Sequence, residues 1–357
     1  MRRSCMRKMF LLVSMSVGII ALLTVNAFAF HDSGVAHCNG CHTMHNSEDG
    51  SLVDPDSPNG NPYLLIDATA SDVCLSCHAD NHGAVWGDDP VNPPAVYGAG
   101  NFCYAVEDNI NDGHNGALNP IPGAYGVHNV IAPSMGGTAD PVQTVSPGGT
   151  YPATSMSCTS CHDPHGNEHF RLLYGISHVE AGDFTFTNPA PTATGLNVHG
   201  ASETATNHTA YNSGMSGWCG NCHGDFHNNN TALIHPSGSA MGASIAQTYN
   251  LYNGTVDQTG GVQATAYIPD VAFEDPAMTT TSTAGPSGTS QISCVTCHRA
   301  HGTSGPNIGR WDFNVTFLHE DGVESGSYAI PDPYANDNQR SLCNKCHNKD
   351  EGDENPF

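Results

Sequence analysis

Apolar residues are scattered along most of this chain rather than periodic. Beyond residue 30, we find little of the three- and four-residue spacing of an amphipathic helix and no convincing alternation typical of a strand. The long stretches Pro120–Pro152 and Thr255–Gln291 are instead rich in Gly, Pro, Asn and Thr, which favour turns. The pattern predicts mostly irregular coil with short helices, in one continuous unit over residues 30–357 without a separate globular domain.

The first 29 residues depart from this pattern. Four basic residues precede an apolar run from Met9 to Val25, and Ala27–Ala29 places small residues where a signal peptidase cleaves. The apolar run is short for a bilayer span, which needs about 20 apolar residues, so cleavage before Phe30 is favoured over a membrane anchor. We therefore predict a signal peptide over 1–29 and a secreted mature chain with no membrane span.

The charge of the chain is strongly acidic, with 34 acidic and 10 basic residues. Cleavage of the signal removes four basic residues and leaves a net charge of −28. This charge excludes nucleic acid as a natural partner, because phosphate binding needs clustered Lys and Arg. The acidity either supports salt-sensitive docking to basic partners or metal ions, or only keeps the protein soluble.

The composition leaves little material for a hydrophobic core. Charged residues make up only 12% of the chain, and 39 Gly and 23 Pro accompany abundant Asn, Ser and Thr. Such a chain buries too little apolar surface to offset the entropy of ordering it. Something other than side chains must therefore supply the core.

The cysteines indicate what forms this core. Twelve of the 14 Cys form six C-x-x-C pairs, each followed at once by His. Two thiols at this spacing reach the two vinyl groups of one haem, and the next residue offers an imidazole to the iron, so C-x-x-C-H is a haem c attachment motif. Structural zinc, disulfide and thioredoxin-like sites do not require His directly after the second Cys. The attachment cysteines and proximal histidines are Cys38, Cys41 and His42 at site 1; Cys74, Cys77 and His78 at site 2; Cys158, Cys161 and His162 at site 3; Cys219, Cys222 and His223 at site 4; Cys294, Cys297 and His298 at site 5; and Cys343, Cys346 and His347 at site 6.

Each haem iron also needs a ligand on its distal face, and fifteen further histidines are available for it. His recurs at a fixed distance from the motifs, whereas Met does not. His45, His165 and His301 follow the proximal His by three residues, and His82 and His227 follow it by four. A His this close lies on the proximal side of its own haem, so it can bind only the iron of a neighbouring haem. The repeat predicts closely packed haems; for His82, contact with a propionate or a surface position explains the residue equally well.

Enzymatic reduction of a small oxyanion is disfavoured. A reductase needs an iron with an open position, and such haems often carry Lys in place of the proximal His, but no C-x-x-C-K occurs here. An electron-transfer protein is the favoured class, as an extracellular conduit or as a monomeric periplasmic shuttle. The remaining mature cysteine, Cys103, could cross-link subunits, although an isolated Cys is more often buried and inert. The Asp/Asn loops 54–61 and 107–112 do not fit the EF-hand register, which disfavours calcium.

The six motifs in their order, with strings beside five of them, resemble the OmcS-like extracellular hexahaem c-type cytochromes, a family of cytochrome nanowires. The resemblance covers the mature chain, whereas the loops between sites 2 and 3 and between sites 5 and 6 differ. The matching strings are Phe30-His31, Gly34-Val35-Ala36, Cys38–Ser47, Pro147–Pro152, Cys161–Gly166, Gly217-Trp218-Cys219, Ile234-His235-Pro236, His298–His301 and Arg340–His347.

The resemblance implies a head-to-tail polymer with bis-His haems that transfers electrons to external acceptors such as metal oxides, with other cytochromes as redox partners. It implies that six distal ligands come from seven histidines: His31, His45, His128, His165, His227, His235 and His301. Seven others are interpreted as non-ligands: His37, His114, His169, His178, His199, His208 and His319.

The two ends of the mature chain are unequal. Site 1 offers His45 but has no earlier haem beside it, and the motif of site 6 has no downstream His. Unequal ends fit a head-to-tail contact, which grows an open filament unless it closes into a ring. The resemblance implies that His45 ligates the haem of site 5 in the adjacent subunit; the alternative is that it binds the haem of site 2 in its own chain, as a monomer.

Overall fold

The computed structural model describes residues 37–80, 85–87, 98–107, 110–112, 119–195, 204, 206–228, 235, 237–254, 259–278, 284–313, 317–318, 333–334 and 339–347. It confirms the expectation of mostly irregular coil with a few short helices. The predicted signal peptide lies outside the described residues. Among the described residues, no helix has both the length and the apolar character that a membrane span requires.

Short helices occur beside the haem motifs and in the segment before site 5. The α-helices are α1 (Ala70–His78), α2 (Met215–Cys219), α3 (Gly224–Asn228), α4 (Gly242–Leu251) and α5 (Cys294–Cys297). Single turns of 3₁₀ type or close to it span Cys38–Gly40, Pro62–Leu64, Phe102–Val106, Gly123–Tyr125, Pro133–Met135, Ala153–Ser155, Cys158–Ser160, Phe170–Leu172, Ala181–Asp183, Gln263–Thr265, Pro269–Val271, Pro306–Ile308 and Leu342–Lys345. The first Cys of each motif thus lies in a helical turn or is its last residue, and the turn sets the spacing of the two thiols.

The strands form four separate antiparallel pairs. These pairs are β1 (Ser47–Glu48) with β2 (Ser51–Leu52), β3 (Ile110–Asp112) with β4 (Asn119–Ile121), β5 (Val179–Glu180) with β6 (Phe184–Thr185), and β7 (Thr192–Thr194) with β8 (Ala210–Ser213). Within the described part of the chain, none of these pairs joins another to make a larger sheet. The strands therefore close loops between the motifs and do not build a sheet-based core.

Apolar side chains form clusters beside the motifs, which the sequence alone did not locate. One cluster packs Trp86, Phe102 and Val130 around Cys103. A second lies between sites 5 and 6 and includes Trp311. Cys103 is completely buried, and burial raises the pKa of its thiol to about 12, so the structure favours an inert core residue over a cross-link between subunits.

Helix α1 carries the site 2 motif and is fixed at its N-terminus by Asp72. The Thr69 hydroxyl accepts from the Asp72 backbone N–H at 3.1 Å, which caps the helix. The buried Asp72 carboxylate accepts from the Thr69 hydroxyl and, across the fold, from the backbone N–H and hydroxyl of Ser134 at 2.9 and 2.5 Å. This carboxylate joins the cap of α1 to a segment more than fifty residues away.

We expect Asp72→Ala to lower the free energy of unfolding by about 1–3 kcal/mol, because two Ser134 donors lose their acceptor. The change is measured by denaturant unfolding of the haem-loaded protein. Asp72→Asn is the matched control, since it keeps an oxygen that can accept from Ser134, and it should lose less. Equal stability of the Ala variant and the native protein would show that Asp72 has no such role.

Candidate haem-binding sites

Four proximal histidines each face a second imidazole from another part of the chain. The separations between ring centroids are 6.3 Å for His42–His165, 6.3 Å for His162–His301, 6.1 Å for His128–His223 and 6.2 Å for His235–His347. The four pairs share one distance although their interplanar angles range from 9° to 65°. A common separation with variable rotation indicates a common spacer between the rings.

The separation fits one metal ion between two imidazoles. At the ~2.0–2.1 Å of a metal–imidazole bond, two nitrogens on opposite sides of an ion lie about 4 Å apart, and the ring radii bring the centroids to about 6.3 Å. Rotation of either ring about this axis leaves the distance unchanged. The residues present at sites 1, 3, 4 and 6 therefore fit an iron with two axial histidines, and they connect each motif with one of the expected distal residues.

Sites 2 and 5 differ from the other four. At site 5, the ring that contacts His298 is that of Phe313, edge-on at 5.5 Å, and no second imidazole faces His298 among the described residues. At site 2, the proximal His78 is exposed. Three of the seven expected distal residues remain for these sites: His45, which is exposed, His31, which lies outside the described residues, and His227, whose backbone belongs to α3.

Backbone carbonyls orient the proximal imidazoles. The Nδ1 atoms of His42, His162, His223 and His298 lie 2.7–3.0 Å from the carbonyl oxygens of Tyr63, Arg171, Pro147 and Asn307, respectively. A donor at Nδ1 leaves Nε2 free to bind metal and makes it more basic. The distal residue His128 has the same arrangement, with Nδ1 at 2.6 Å from the Ala300 carbonyl oxygen.

A repeated left-handed turn supplies these carbonyls at the odd-numbered sites. Tyr63, Arg171 and Asn307 have φ of 57°, 53° and 56°, and the next residue in each turn is also left-handed. Because residues other than Gly rarely adopt left-handed φ angles, three such pairs in equivalent positions indicate a structural requirement rather than chance. The turn also pairs with the motif, through the bridges His42–Leu65, His162–Leu173 and His298–Gly309. Sequence inspection missed this device, because no shared residue type marks it.

Desolvation favours the neutral form of several site histidines. The pKa of His128 falls to about 4 and that of His301 to about 3, first because each partly buried ring is desolvated and then because His223 and His162, respectively, lie close. Burial is also the main cause that lowers the pKa values of His162, His223, His298 and His347. A metal ligand must be the neutral imidazole, so these surroundings favour binding of iron.

The motif sulfurs lie beside each other in chain order. Hydrogen bonds join the thiols of Cys74 and Cys158, and those of Cys219 and Cys294; each bond raises the pKa of the first thiol and lowers that of the second. At the other junctions, burial is the main cause of a raised thiol pKa, and the thiol of the next site raises it further. These electrostatic interactions join Cys41 with Cys77, Cys161 with Cys222, and Cys297 with Cys343 and Cys346. Every consecutive pair of sites, from 1 to 6, is therefore in close proximity.

Two serines that were not singled out in the sequence each join an even-numbered site to the odd-numbered site that follows it. The Ser71 hydroxyl accepts from the backbone N–H of Cys158 at 3.2 Å, and the Ser216 hydroxyl accepts from that of Cys294 at 3.1 Å. Each serine stands three residues before the first Cys of an even-numbered site. The junction of sites 2 and 3 thus repeats at sites 4 and 5. The shared S-x-x-C-x-x-C-H string does not single them out, because Ser155 gives site 3 the same string.

Histidines interpreted as non-ligands have other contacts where they are described. His169 Nδ1 lies 2.9 Å from the Leu173 carbonyl oxygen, His178 lies 3.1 Å from the Glu180 carboxylate, and the buried His208 stacks on Tyr267 at 4.0 Å. His37 is exposed, whereas His82, His114, His199 and His319 lie outside the described residues.

The acidic loop 54–61 supplies the hydrogen-bond donors for its own Asp54 carboxylate. The Asn61 amide is the main cause that lowers the pKa of Asp54, and the backbone N–H groups of Asp56 and Ser57 also donate to it. In the part of the chain that the structure describes, no cluster of three or more His, Cys, Asp or Glu side chains is arranged to hold a metal ion. Residues 108 and 109 of the other acidic loop are outside the described part, and the low expectation of calcium stays a prediction.

Comparison with known proteins gives one consistent result. The profile of the family described as "Doubled CXXCH motif" matches residues 151–183, around site 3. The chain is 32% identical to the C-type cytochrome OmcS of Geobacter sulfurreducens, over 95% of this chain and 99% of that protein. Two solved structures from Geobacter sulfurreducens are also similar. The Outer Membrane Cytochrome S filament matches with a TM-score of 0.73 and 28% identity, over 88% of this chain and 98% of the filament chain. The structure of the OmcS nanowires matches with a TM-score of 0.72 and 30% identity, over 90% of this chain and 100% of the nanowire chain.

Proposed function

Because this chain belongs to the OmcS family of multihaem c-type cytochromes, we propose that it conducts electrons outside the cell through six bis-His haem c groups, as a head-to-tail filament. It is an electron-transfer protein that binds haem c, not an enzyme. Haem iron supplies reversible one-electron chemistry when bound. The number of haems, the filament, and delivery to external acceptors such as metal oxides or to partner cytochromes are parts of the proposal.

The observation that carries the proposal is the proximity of consecutive sites. From site 1 to site 6, thiols of consecutive motifs are near enough to shift each other's pKa, and four imidazole pairs have the separation of two ligands on one iron. Covalent attachment to two cysteines and two axial ligands would hold each haem at a fixed distance from the next. Six closed sites favour electron transfer over substrate binding, because no iron is left with an open position.

The odd-numbered sites follow a regular rule of ligation. His301 of site 5 faces the proximal His of site 3, and His165 of site 3 faces that of site 1. Each odd site therefore offers its second His to the odd site two before it. One further step assigns His45 of site 1 to site 5 of an adjacent copy, where His298 faces no described imidazole.

The even-numbered sites follow a second rule. His128, which faces the His of site 4, lies between motifs 2 and 3, and His235, which faces the His of site 6, lies between motifs 4 and 5. Applied to site 2, the rule places its distal ligand before Cys38, where His31 stands. The six ligands are then His31, His45, His128, His165, His235 and His301, and His227 is the surplus member of the seven.

The surroundings of His45 fit a contact with a second copy. Met44, Tyr63 and Leu64 are 78%, 87% and 54% exposed, and Leu64 is joined to Thr43 through a backbone hydrogen bond. Large apolar side chains at this exposure are normally covered in an assembly when they cluster. The site 1 end therefore combines a free ligand with an apolar surface around it.

We expect six low-spin haems per chain with two histidines on every iron. The motif count and the histidine surplus are the physical reasons, and intact mass of a chain beginning at Phe30 checks the haem number. Low-temperature absorption and magnetic spectra check the ligands, and electron micrographs of the native protein check the filament. A sulfur-to-iron charge-transfer band, or a high-spin population that binds carbon monoxide readily, would contradict the proposal of six closed sites.

A further inference from the structure

The attachment loop of site 6 contains a buried cation. Lys345 stands between Cys343 and Cys346, and its side chain is 0% exposed. Lysine is almost never fully buried without a compensating interaction. The mature chain has only six basic residues, so a buried one beside a haem site requires an explanation.

Three acceptors surround the Lys345 nitrogen. Nζ lies 3.0 Å from the carbonyl oxygens of Tyr249 and Ala266 and 3.0 Å from the hydroxyl of Tyr334. The Tyr334 hydroxyl donates its own proton to the Tyr252 carbonyl oxygen at 3.2 Å, so it accepts from Lys345. An ammonium has three N–H donors for three acceptors, whereas a neutral amine has only two.

Aromatic rings also favour the charged form. Nζ lies 3.9 Å from the centroid of the Tyr249 ring, and the rings of Tyr252 and Tyr334 are at 5.5 and 5.6 Å. A cation over an aromatic face is stabilised most where water is excluded. Burial is the main cause that lowers the pKa of Lys345, to about 7. The three acceptors and the Tyr249 ring oppose this effect and favour the ammonium.

No carboxylate forms an ion pair with Lys345 among the described residues. At site 5, the guanidinium of Arg299 pairs with Asp270 at 2.9 Å, whereas buried Arg310, like Lys345, donates to backbone carbonyl oxygens, those of Val295 and Pro269 among them. Site 6 thus contains a buried positive charge that no described acidic group offsets. Such a charge acts strongly on its neighbours, because the interior screens it less than water does.

We propose that Lys345 is a fixed positive charge that raises the reduction potential of the haem at site 6. The reduced haem carries one more negative charge than the oxidised haem, so a nearby buried cation stabilises the reduced form. The inference rests on the proposed attachment of a haem to Cys343 and Cys346.

The test is a spectroelectrochemical titration of Lys345→Met, which removes the charge and keeps the length of the side chain. The component of site 6 is the one that a variant with Cys343 and Cys346 replaced by Ala lacks. We expect Lys345→Met to move this component down by about 59 mV or more, a tenfold lower ratio of reduced to oxidised haem at a fixed potential. Glu48→Gln is the control, because it removes one unit of charge from an exposed position, where solvent and salt screen it, and should shift the component much less.

The inference is overturned when the component of site 6 does not move in a Lys345→Met protein with six haems, or when Glu48→Gln moves it by an equal amount. Should the Met variant mature with fewer haems, Lys345→Gln keeps two donors without the charge and must show the same downward shift. Independently, nitrogen NMR of the fully reduced native protein, labelled in its lysines, must show an ammonium for Lys345 at neutral pH; a neutral amine overturns the inference. Intact mass separates the two proposals, because fewer than six haems on the native chain contradicts the proposed function and not the effect of Lys345.

Discussion

Expressed without the c-type maturation machinery, the chain will be unfolded and degraded. The apolar clusters are small and lie beside the motifs, and a chain with 39 Gly and 23 Pro loses much entropy on ordering. Attachment of a haem to two cysteines and two histidines joins segments far apart in sequence, such as His162 and His301. As in small metal-binding domains, binding of the cofactor and folding should be one event.

Circular dichroism and thermal unfolding of the two forms provide the measurement. The haem-loaded protein should melt cooperatively, whereas the apoprotein should give a disordered spectrum and no transition. A graded control replaces Cys343 and Cys346 by Ala, which removes one haem at the end of the array and should unfold only the surroundings of site 6. A compact apoprotein with a cooperative transition would show that the side chains suffice for the fold.

The variant His45→Ala will attach six haems and fail to form long filaments. His45 is exposed, and the rule followed by His165 and His301 assigns it to site 5 of an adjacent copy. Its loss removes a metal–ligand bond across the interface without disturbing a described contact inside the chain. We expect filaments to shorten severely or disappear in electron micrographs and one iron per chain to acquire high-spin character.

His169→Ala is the matched control for this experiment. His169 is also exposed, but its ring bonds to the Leu173 carbonyl within its own loop, so filaments and low-spin spectra should be retained. The alternative, in which His45 binds site 2 of its own chain, predicts the same spectral change in a protein that was already monomeric. Filaments of native length with six low-spin haems in His45→Ala would refute the assignment across the interface.

The part of the site that follows from local spacing was predictable from the sequence. C-x-x-C-H fixes three groups on one haem, and a His three residues later must serve a neighbouring haem, which agrees with the positions of His165 and His301. The roles of His128 and His235 could be inferred only through the resemblance, because their partners are distant in sequence. His128 approaches His223 through a path that no periodicity of apolar residues describes.

Groups that act through long-range contacts were beyond sequence reasoning. Lys345 reads as an ordinary residue inside a motif, and its aromatic surroundings come from α4 and from Tyr334. Ser71 and Ser216 appear as two among many serines until the structure places them against the next motif. The sequence also gives no sign of the left-handed turn at Tyr63, because pairing with site 1, and not a Gly, imposes its backbone conformation.

The repeated left-handed turn has a consequence for how such proteins evolve. The turn residue follows the proximal His by 21 positions at site 1 and by 9 at sites 3 and 5, and the hairpin β1–β2 occupies the additional length. The same anchorage therefore tolerates an insertion between its two halves. A stretch from one odd site to the next forms a cassette with two haems, which supplies a ligand to the cassette before it and receives one from the cassette after it. Duplication of one cassette would lengthen the array by two haems while leaving both ends of the protein, and so its means of polymerising, unchanged.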